Sequence, residues 1–317
     1  MGQGRTRVIH TAQALVDEVV QIPGLPHRGQ NAMASSFHRY AGGAVNILVA
    51  AARQGAWAVH AGAHGTGPNG DLVRSALADV GVPCSAPVVP DVDTGICFVM
   101  IEPNAERTFV TTLGAERLIT VASLATSDPV AGDLICISGY SFVGTTRDPL
   151  LTWLESLPAG VEVVLDPGAI FAGLPAPLRE RVLALITVWT SNAEEATQLT
   201  GWTGIVETAG AIAGRLGPDR VVIVRDGPAG CVVHVGGEGN YLPGYPQVPV
   251  DTNGAGDAHT GILVAERSLG ASWAAAATRA NAGAAIKVTR QGPASAPVRA
   301  EIDAFVASNP RRSSMPA

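Results

Sequence analysis

The chain has 317 residues, 47% of them hydrophobic and 15% charged, with a net charge of −6 and a pI near 5.6. That is enough apolar material for a substantial core, in a length that suits two domains or one large domain with an appendage. The acidic balance and the lack of a basic face exclude nucleic acid as the main partner.

Residues 8–20 read as a strand, followed by a Pro/Gly-punctuated turn or extended excursion at 22–30. Gly42 and Gly43 then introduce a helix over 44–54, in which Ile47, Leu48, Ala51 and Ala52 recur at helical spacing and Gly55 serves as the C-terminal stop. A strand is expected at 57–62 and a helix at 71–80, ended by Gly81. Between residues 94 and 110 the runs ICFVMI and RTFVTT flank EPNAE, which predicts a hairpin and a small second layer. From about residue 120 the rhythm is regular. Strands at 134–138, 161–165, 188–190, 221–224 and 231–235 alternate with helices at 149–156, 178–186, 193–199 and 205–216. Two long Ala-rich helices follow at 258–269 and 273–286. Short apolar strands between helices predict a mainly parallel sheet covered on both faces. The polar stretch from Ser308 is expected to fray.

Cys84, Cys97, Cys136 and Cys231 are scattered, with no CxxC and no nearby histidine cluster, so they read as reduced thiols of a cytoplasmic protein. Neither a signal peptide nor an apolar run of membrane-spanning length is present, so no membrane partner is expected. Of 21 basic residues only Lys287 is lysine. It stands between Ile286 and Val288, which excludes a Gly-Lys-Ser/Thr phosphate loop.

The strongest motif is Asp251-Thr-Asn-Gly-Ala-Gly-Asp257, immediately before an apolar-periodic helix. A helix N-terminus carries unpaired N–H groups and partial positive charge, and small residues let an anion approach them. A carboxylate in the first turn, Asp257, stands where it can take a proton from a hydroxyl. Read without further context, the same residues make a glycine turn with an acidic first turn. Asn192 and Glu195 likewise form a plain helix N-cap pattern when read alone.

Residues 251–257 resemble the C-terminal signature DTxGAGD of the ribokinase-like, or PfkB, family of carbohydrate and nucleoside kinases, and the resemblance runs over nearly the whole chain. It implies a three-layer α/β sandwich with a mainly parallel sheet and a small β lid over the substrate. It further implies ATP-dependent phosphorylation of a sugar hydroxyl, with Asp257 as general base and Gly254, Ala255 and Gly256 as an anion hole. On the substrate side the resemblance points to Asp17, Gly42, Gly43 and Asn46; Arg107, in the hairpin, either reaches the substrate or faces solvent. Asn192 and Glu195 match the family's NxxE motif and would hold Mg²⁺ through water. Arg225, Asp226, Gly227 and Gly230 fall in its nucleotide loop, and Asn281 at its adenine pocket. Asp251 and Asn253 belong to a stretch that, with 287–292, holds a monovalent cation such as K⁺ in many relatives.

The chain departs from the family at several points. Ala12 replaces a first-strand glycine, Arg225 a nucleotide-loop threonine, and GYSF stands where ribokinases have an acidic sugar contact. The expected organisation is a core of 1–17, 41–91 and 116–310, a lid of 18–40 and 92–115 that offers a homodimer interface, and a frayed tail at 311–317. Two other classes touch parts of the sequence. Gly65 to Gly70 is a GxGxxG with Asp91 and Asp93 downstream, a partial fingerprint of an NAD-dependent oxidoreductase. A non-catalytic sugar-binding protein on the same scaffold is the other. Within the kinase reading a sugar is preferred to a nucleoside, because aromatic residues make up only 5% of the chain.

Overall fold

Val8 and Ile9 are neighbours in sequence and both fully buried, yet each packs into a different core. The same split recurs at Leu134/Ile135, Val188/Trp189 and Val221/Val222. Successive strand residues point to opposite faces, so a strand that is apolar at every position must be covered on both sides. The computed structural model, which describes residues 6–104 and 106–310, has that arrangement. The tail expected at 311–317 lies outside the described residues.

In chain order the elements begin with β1 (Arg7–His10), β2 (Ala14–Gln21), β3 (Ser36–Gly43), α1 (Ala44–Arg53), β4 (Trp57–His60) and α2 (Pro68–Ala78). The hairpin β5 (Ile96–Ile101) and β6 (Arg107–Thr111) follows, then α3 (Val121–Ala125), β7 (Leu134–Ser138), α4 (Arg147–Glu155), β8 (Glu162–Asp166) and α5 (Ala176–Leu185). The C-terminal half adds β9 (Val188–Asn192), α6 (Ala193–Thr200), α7 (Ile205–Leu216), β10 (Val221–Arg225), β11 (Gly230–Val235) and β12 (Glu238–Pro243). It ends with α8 (Ala255–Ser268), α9 (Trp273–Lys287) and α10 (Arg299–Ser308).

Eight strands form the main sheet in the order β12-β11-β10-β9-β8-β7-β1-β4. It is parallel from β4 to β10, with β11 and β12 antiparallel at one edge. Helices α1, α8 and α9 supply one core, with Leu48, Ile262 and Ala280 among its buried residues. On the other face Leu150 and Trp153 of α4, Val182 of α5 and Ile212 of α7 supply the second. A separate four-stranded sheet, β3-β2-β5-β6, makes the small layer. This is the ribokinase-like architecture the sequence led us to expect. Among the described residues no helix is long and apolar enough to cross a membrane.

Three sequence expectations are corrected. The single strand over 8–20 is two strands in two different sheets. β1 pairs with β4 and β7, while β2 pairs with β3 and β5. Residues 8–20 run on without a glycine or proline, so a change of sheet at residues 11–13 leaves no mark in the sequence. The limits drawn at residues 17 and 41 therefore cut through β2 and β3, which lie wholly in the small sheet. The strands β3 and β12 and the helix α10 were not anticipated, because SFHRYAGG and EGNYLP are polar, largely exposed strands without apolar alternation, and α10 buries only Ile302. Finally, α2 opens at Pro68, ahead of the expected 71, since proline suits the first turn of a helix.

Candidate active site

The C-terminal ends of the parallel strands β7, β8, β9 and β10 bring Ser138, Asp166, Asn192 and Arg225 to one edge of the main sheet, and all four line a cavity of about 670 Å³. In open α/β sheets this edge is where ligands bind. The small sheet forms the opposite wall. Its register ranks Asp17 beside Cys97, and Cys97 beside Thr111, and these three face the same cavity.

The turn into α8 closes the floor. Gly254 adopts the left-handed conformation (φ 75°), and a Cβ there would lie 2.4 Å from the Pro293 carbonyl oxygen, so only glycine fits. Having no side chain, it supplies no side-chain cap to α8; the Ala255 amide donates to the Thr252 carbonyl at 3.2 Å. Gly254, Ala255, Gly256 and Asp257 all line the cavity. Asn46, on α1, donates from Nδ2 to Asp257 Oδ2 at 2.9 Å. Burial pushes the Asp257 carboxyl up to about 6; the Asn46 hydrogen bond opposes this, the Asp166 charge adds to it, and Arg225 and Lys287 oppose it.

Asp17 stands in the same cavity, and burial together with the Asp257 charge pushes it up to about 7. The two glycines before α1 are explained by what surrounds them. A Cβ on Gly42 would fall 2.2 Å from Asp17 Oδ2, so Gly42 makes room for that carboxylate without itself lining the cavity. Gly43 has φ 60°, and it does line the cavity.

On the other side of the floor lies a second cavity of about 540 Å³, walled by Gly227, Gly230, His259 and Asn281. Asn192, Arg225, Ala255 and Gly256 belong to both cavities, which therefore meet at the turn into α8. Asn281 is anchored: its Nδ2 donates to the carbonyls of Leu242 and Pro243, and its Oδ1 accepts from His259 Nε2 at 3.1 Å. Asp226 is exposed and outside both cavities; its amide closes the loop by donating to the Gly230 carbonyl.

Asn192 and Glu195 form a capping box on α6. Asn192 Oδ1 accepts from the Glu195 amide at 2.7 Å, and Glu195 Oε2 accepts from the Asn192 amide at 3.0 Å. Glu195 Oε1 and the Asn192 NH₂ stay outside the box. Burial and the Asp166 charge push Glu195 up to about 7. Arg225 answers these carboxylates: it pairs with Asp166 at 3.3 Å and donates to Thr260 at 2.6 Å and Thr190 at 3.2 Å. Asp166 was missed as a site residue. Its one sequence signal was its position as the acid closing a predicted strand.

Arg107 crosses from the hairpin and donates to Thr252 Oγ1 at 3.0 Å, so it does reach the site. Asp251 and Asn253 line neither large cavity but a smaller hollow of about 190 Å³ against the small sheet. The Asp251 carboxylate accepts from the amides of Asn253 and Gly292, and its carbonyl accepts from Lys287 Nζ at 2.8 Å. Among the described residues no group of three or more His, Cys, Asp or Glu side chains is placed to hold a metal ion.

The GxGxxG at 65–70 carries no dinucleotide seat. The Asp93 carboxylate accepts from the Asn69 amide at 3.1 Å and the Gly70 amide at 2.9 Å, where a pyrophosphate would have to bind.

Residues 11–300 match the model of the pfkB family carbohydrate kinases. The chain belongs to that family. PfkB members are phosphotransferases acting on an alcohol group, so the chain is a kinase of the sugar and nucleoside class. It is 29% identical to the uncharacterized sugar kinase YegV of Escherichia coli (strain K12), over 94% of this chain and 93% of that protein. It is 27% identical to a ribokinase of Haemophilus influenzae, over 92% of this chain and 95% of the relative. Its fold is similar to that of a fructokinase from Vibrio cholerae O395, solved with fructose, ADP and a potassium ion (TM-score 0.77, 24% identity, covering 96% of this chain and 99% of that one).

Proposed function

We propose that this PfkB protein transfers the γ-phosphoryl group of ATP to a hydroxyl of a sugar or sugar-like small molecule. The observation that carries the reading is the position of Asp257. It lines the larger cavity in the first turn of α8, directly after Ala255 and Gly256 where the two cavities meet, with Asn46 holding one oxygen and burial raising its pKa to about 6. A general base works best when its pKa lies near the working pH.

The sugar occupies the larger cavity, and the nucleotide occupies the smaller one against Gly227, Gly230 and Asn281. Asp17 binds a substrate hydroxyl, and its raised pKa lets it share a proton with the incoming alcohol. Asn46, expected on the sugar, orients the base instead. The substrate hydroxyl gives its proton to Asp257 as its oxygen attacks the phosphorus. The amides of Gly254, Gly256 and Asp257 receive the charge that develops on the transferring group, and Arg107 and Arg225 flank it. Glu195, with one carboxylate oxygen outside its capping box, and Asn192 would hold Mg²⁺ through water, which suits an ion that keeps most of its hydration shell. That ion supplies charge neutralisation for the phosphates.

One observation favours a nucleoside as the acceptor: Phe109 and Tyr140 both line the larger cavity while staying partly exposed, as stacking surfaces for a base would. The small sheet exposes Phe37, Phe98 and Val110 on its other face, and we extend the proposal to a cytoplasmic homodimer joined there. A coupled assay of ADP release over pentoses, hexoses, sugar acids and nucleosides tests the reading and separates the two acceptors. Asp257→Asn should keep nucleotide binding and lose turnover by about 10²–10⁴-fold. Undiminished turnover in Asp257→Asn removes the assigned base.

A further inference from the structure

Lys287 is the one lysine of the chain, and its side chain is fully buried at the last turn of α9. Taking an ammonium out of water is costly unless it is paired and hydrogen-bonded, so its position calls for a reason. Its Nζ donates to the carbonyl oxygen of Asp251, the first residue of the segment that leads into the α8 turn. That segment is tied down around it. The Asp251 amide donates to the Val288 carbonyl at 3.0 Å, the Asp251 carboxylate accepts from Gly292 at 2.9 Å, and Gly254 packs against the Pro293 carbonyl. Burial lowers the Lys287 pKa, and the carboxylates of Asp251 and Asp257 hold it up.

The family resemblance places a monovalent cation among carbonyls of these same residues, 251, 253 and 287–292. The residues present do not fit that ion. A carbonyl it would need already accepts from an ammonium of equal charge, and two like charges at that spacing repel. We propose that Lys287 is a built-in cation that fixes the turn into α8, so that the protein neither binds K⁺ there nor needs it. Lys287 is a positioning residue. It acts through Asp251 and the Gly254 turn and does not touch the substrate. The inference rests on the kinase reading for its catalytic consequence, but its structural part stands apart from it.

The test compares the full chain with tetramethylammonium as the sole monovalent cation against the same protein in KCl, with Mg²⁺ in both. Turnover and melting temperature of the wild type should be the same in the two salts. Lys287→Ala should lose turnover on the order of 10²-fold, as for a lost oxyanion-hole donor. K⁺, but not tetramethylammonium, should restore that turnover and raise the variant's melting temperature. Lys287→Met, which keeps the volume and blocks the vacancy, should lose turnover without rescue. A wild type stimulated or specifically stabilised by K⁺ overturns the proposal, and so does a folded Lys287→Ala that no monovalent cation restores. If neither variant folds, the wild-type comparison still decides. If no alcohol is phosphorylated in either salt, the kinase reading fails while the melting temperatures still settle whether K⁺ binds.

Discussion

Two glycine-rich turns in this chain lead into helices, and they end in opposite states. At Gly65–Gly70 the carboxylate of Asp93 fills the hollow: it accepts from the amides of Asn69 and Gly70, and a Cβ on Gly67 would lie 2.8 Å from its Cγ. At Gly254–Gly256 no protein side chain caps the turn, and the acid that follows, Asp257, is held to one side by Asn46. The comparison teaches that a glycine turn before a helix stays open to an anion only where no side chain arrives to cap it. Both are glycine-rich and both precede a helix, and the state of their amides is set by one carboxylate that reaches the first turn from elsewhere in the chain.

The comparison can be broken first at Gly254. Gly254→Ala meets both the left-handed backbone and the Pro293 carbonyl, so the turn must move. We expect turnover to fall on the order of 10²–10³-fold, with the substrate KM little changed, in steady-state kinetics. A variant of normal turnover would mean that the α8 amides do not serve the reaction.

A smaller effect is expected from the side chain that keeps Asp257 clear of its turn. Asp257 must be ionised to accept a proton, so kcat/KM should fall as pH drops through about 6. The Asn46 hydrogen bond favours the ionised form, and its loss in Asn46→Ala should move this acid limb to higher pH. At pH 7 the variant should be slower, and at high pH it should recover much of the difference. An unmoved acid limb in a rate profile would separate Asn46 from the titrating group.

The least effect on catalysis belongs to the plugged turn. Asp93→Ala strips the N-terminus of α2 of its cap and should cost about 1–2 kcal/mol of stability, measured by chemical denaturation, with turnover unchanged. If catalysis instead fell as steeply as in Gly254→Ala, the contrast between the two turns would be wrong.

Much of this was legible in the sequence, for identifiable reasons. The strand LICIS and the helix at 205–216 were placed with the right bounds because their apolar periods are unbroken. The turn into α8 was legible as a glycine turn before a helix because seven residues in a row, 251–257, carry it. The sheet change at residues 11–13 was not, because no glycine or proline interrupts the run from 8 to 20. The cleft role of Asp166 was hidden because an acid closing a strand is common, and only its direct pairing with Arg225, across β9 at the end of β10, marks it out. The Gly-Gly pair was located correctly, but Gly42 serves Asp17 and not a ligand directly.

The strand–helix alternation after residue 120, the two-sided burial of the main sheet and the candidate acid at the head of α8 follow from the sequence itself. Hydrophobic period, glycine placement and helix starts are local properties, and neighbouring residues are enough to specify them. The open or closed state of each glycine turn, the partner of Asp257 and the burial of Lys287 against Asp251 were decided by tertiary structure. Asn46 and Asp257 lie 211 positions apart, and Lys287 and Asp251 lie 36 apart, so these pairs exist only once α1, α8 and α9 pack on one face of the sheet. Charges brought together in that way shift one another through space, and one-dimensional spacing holds no record of it.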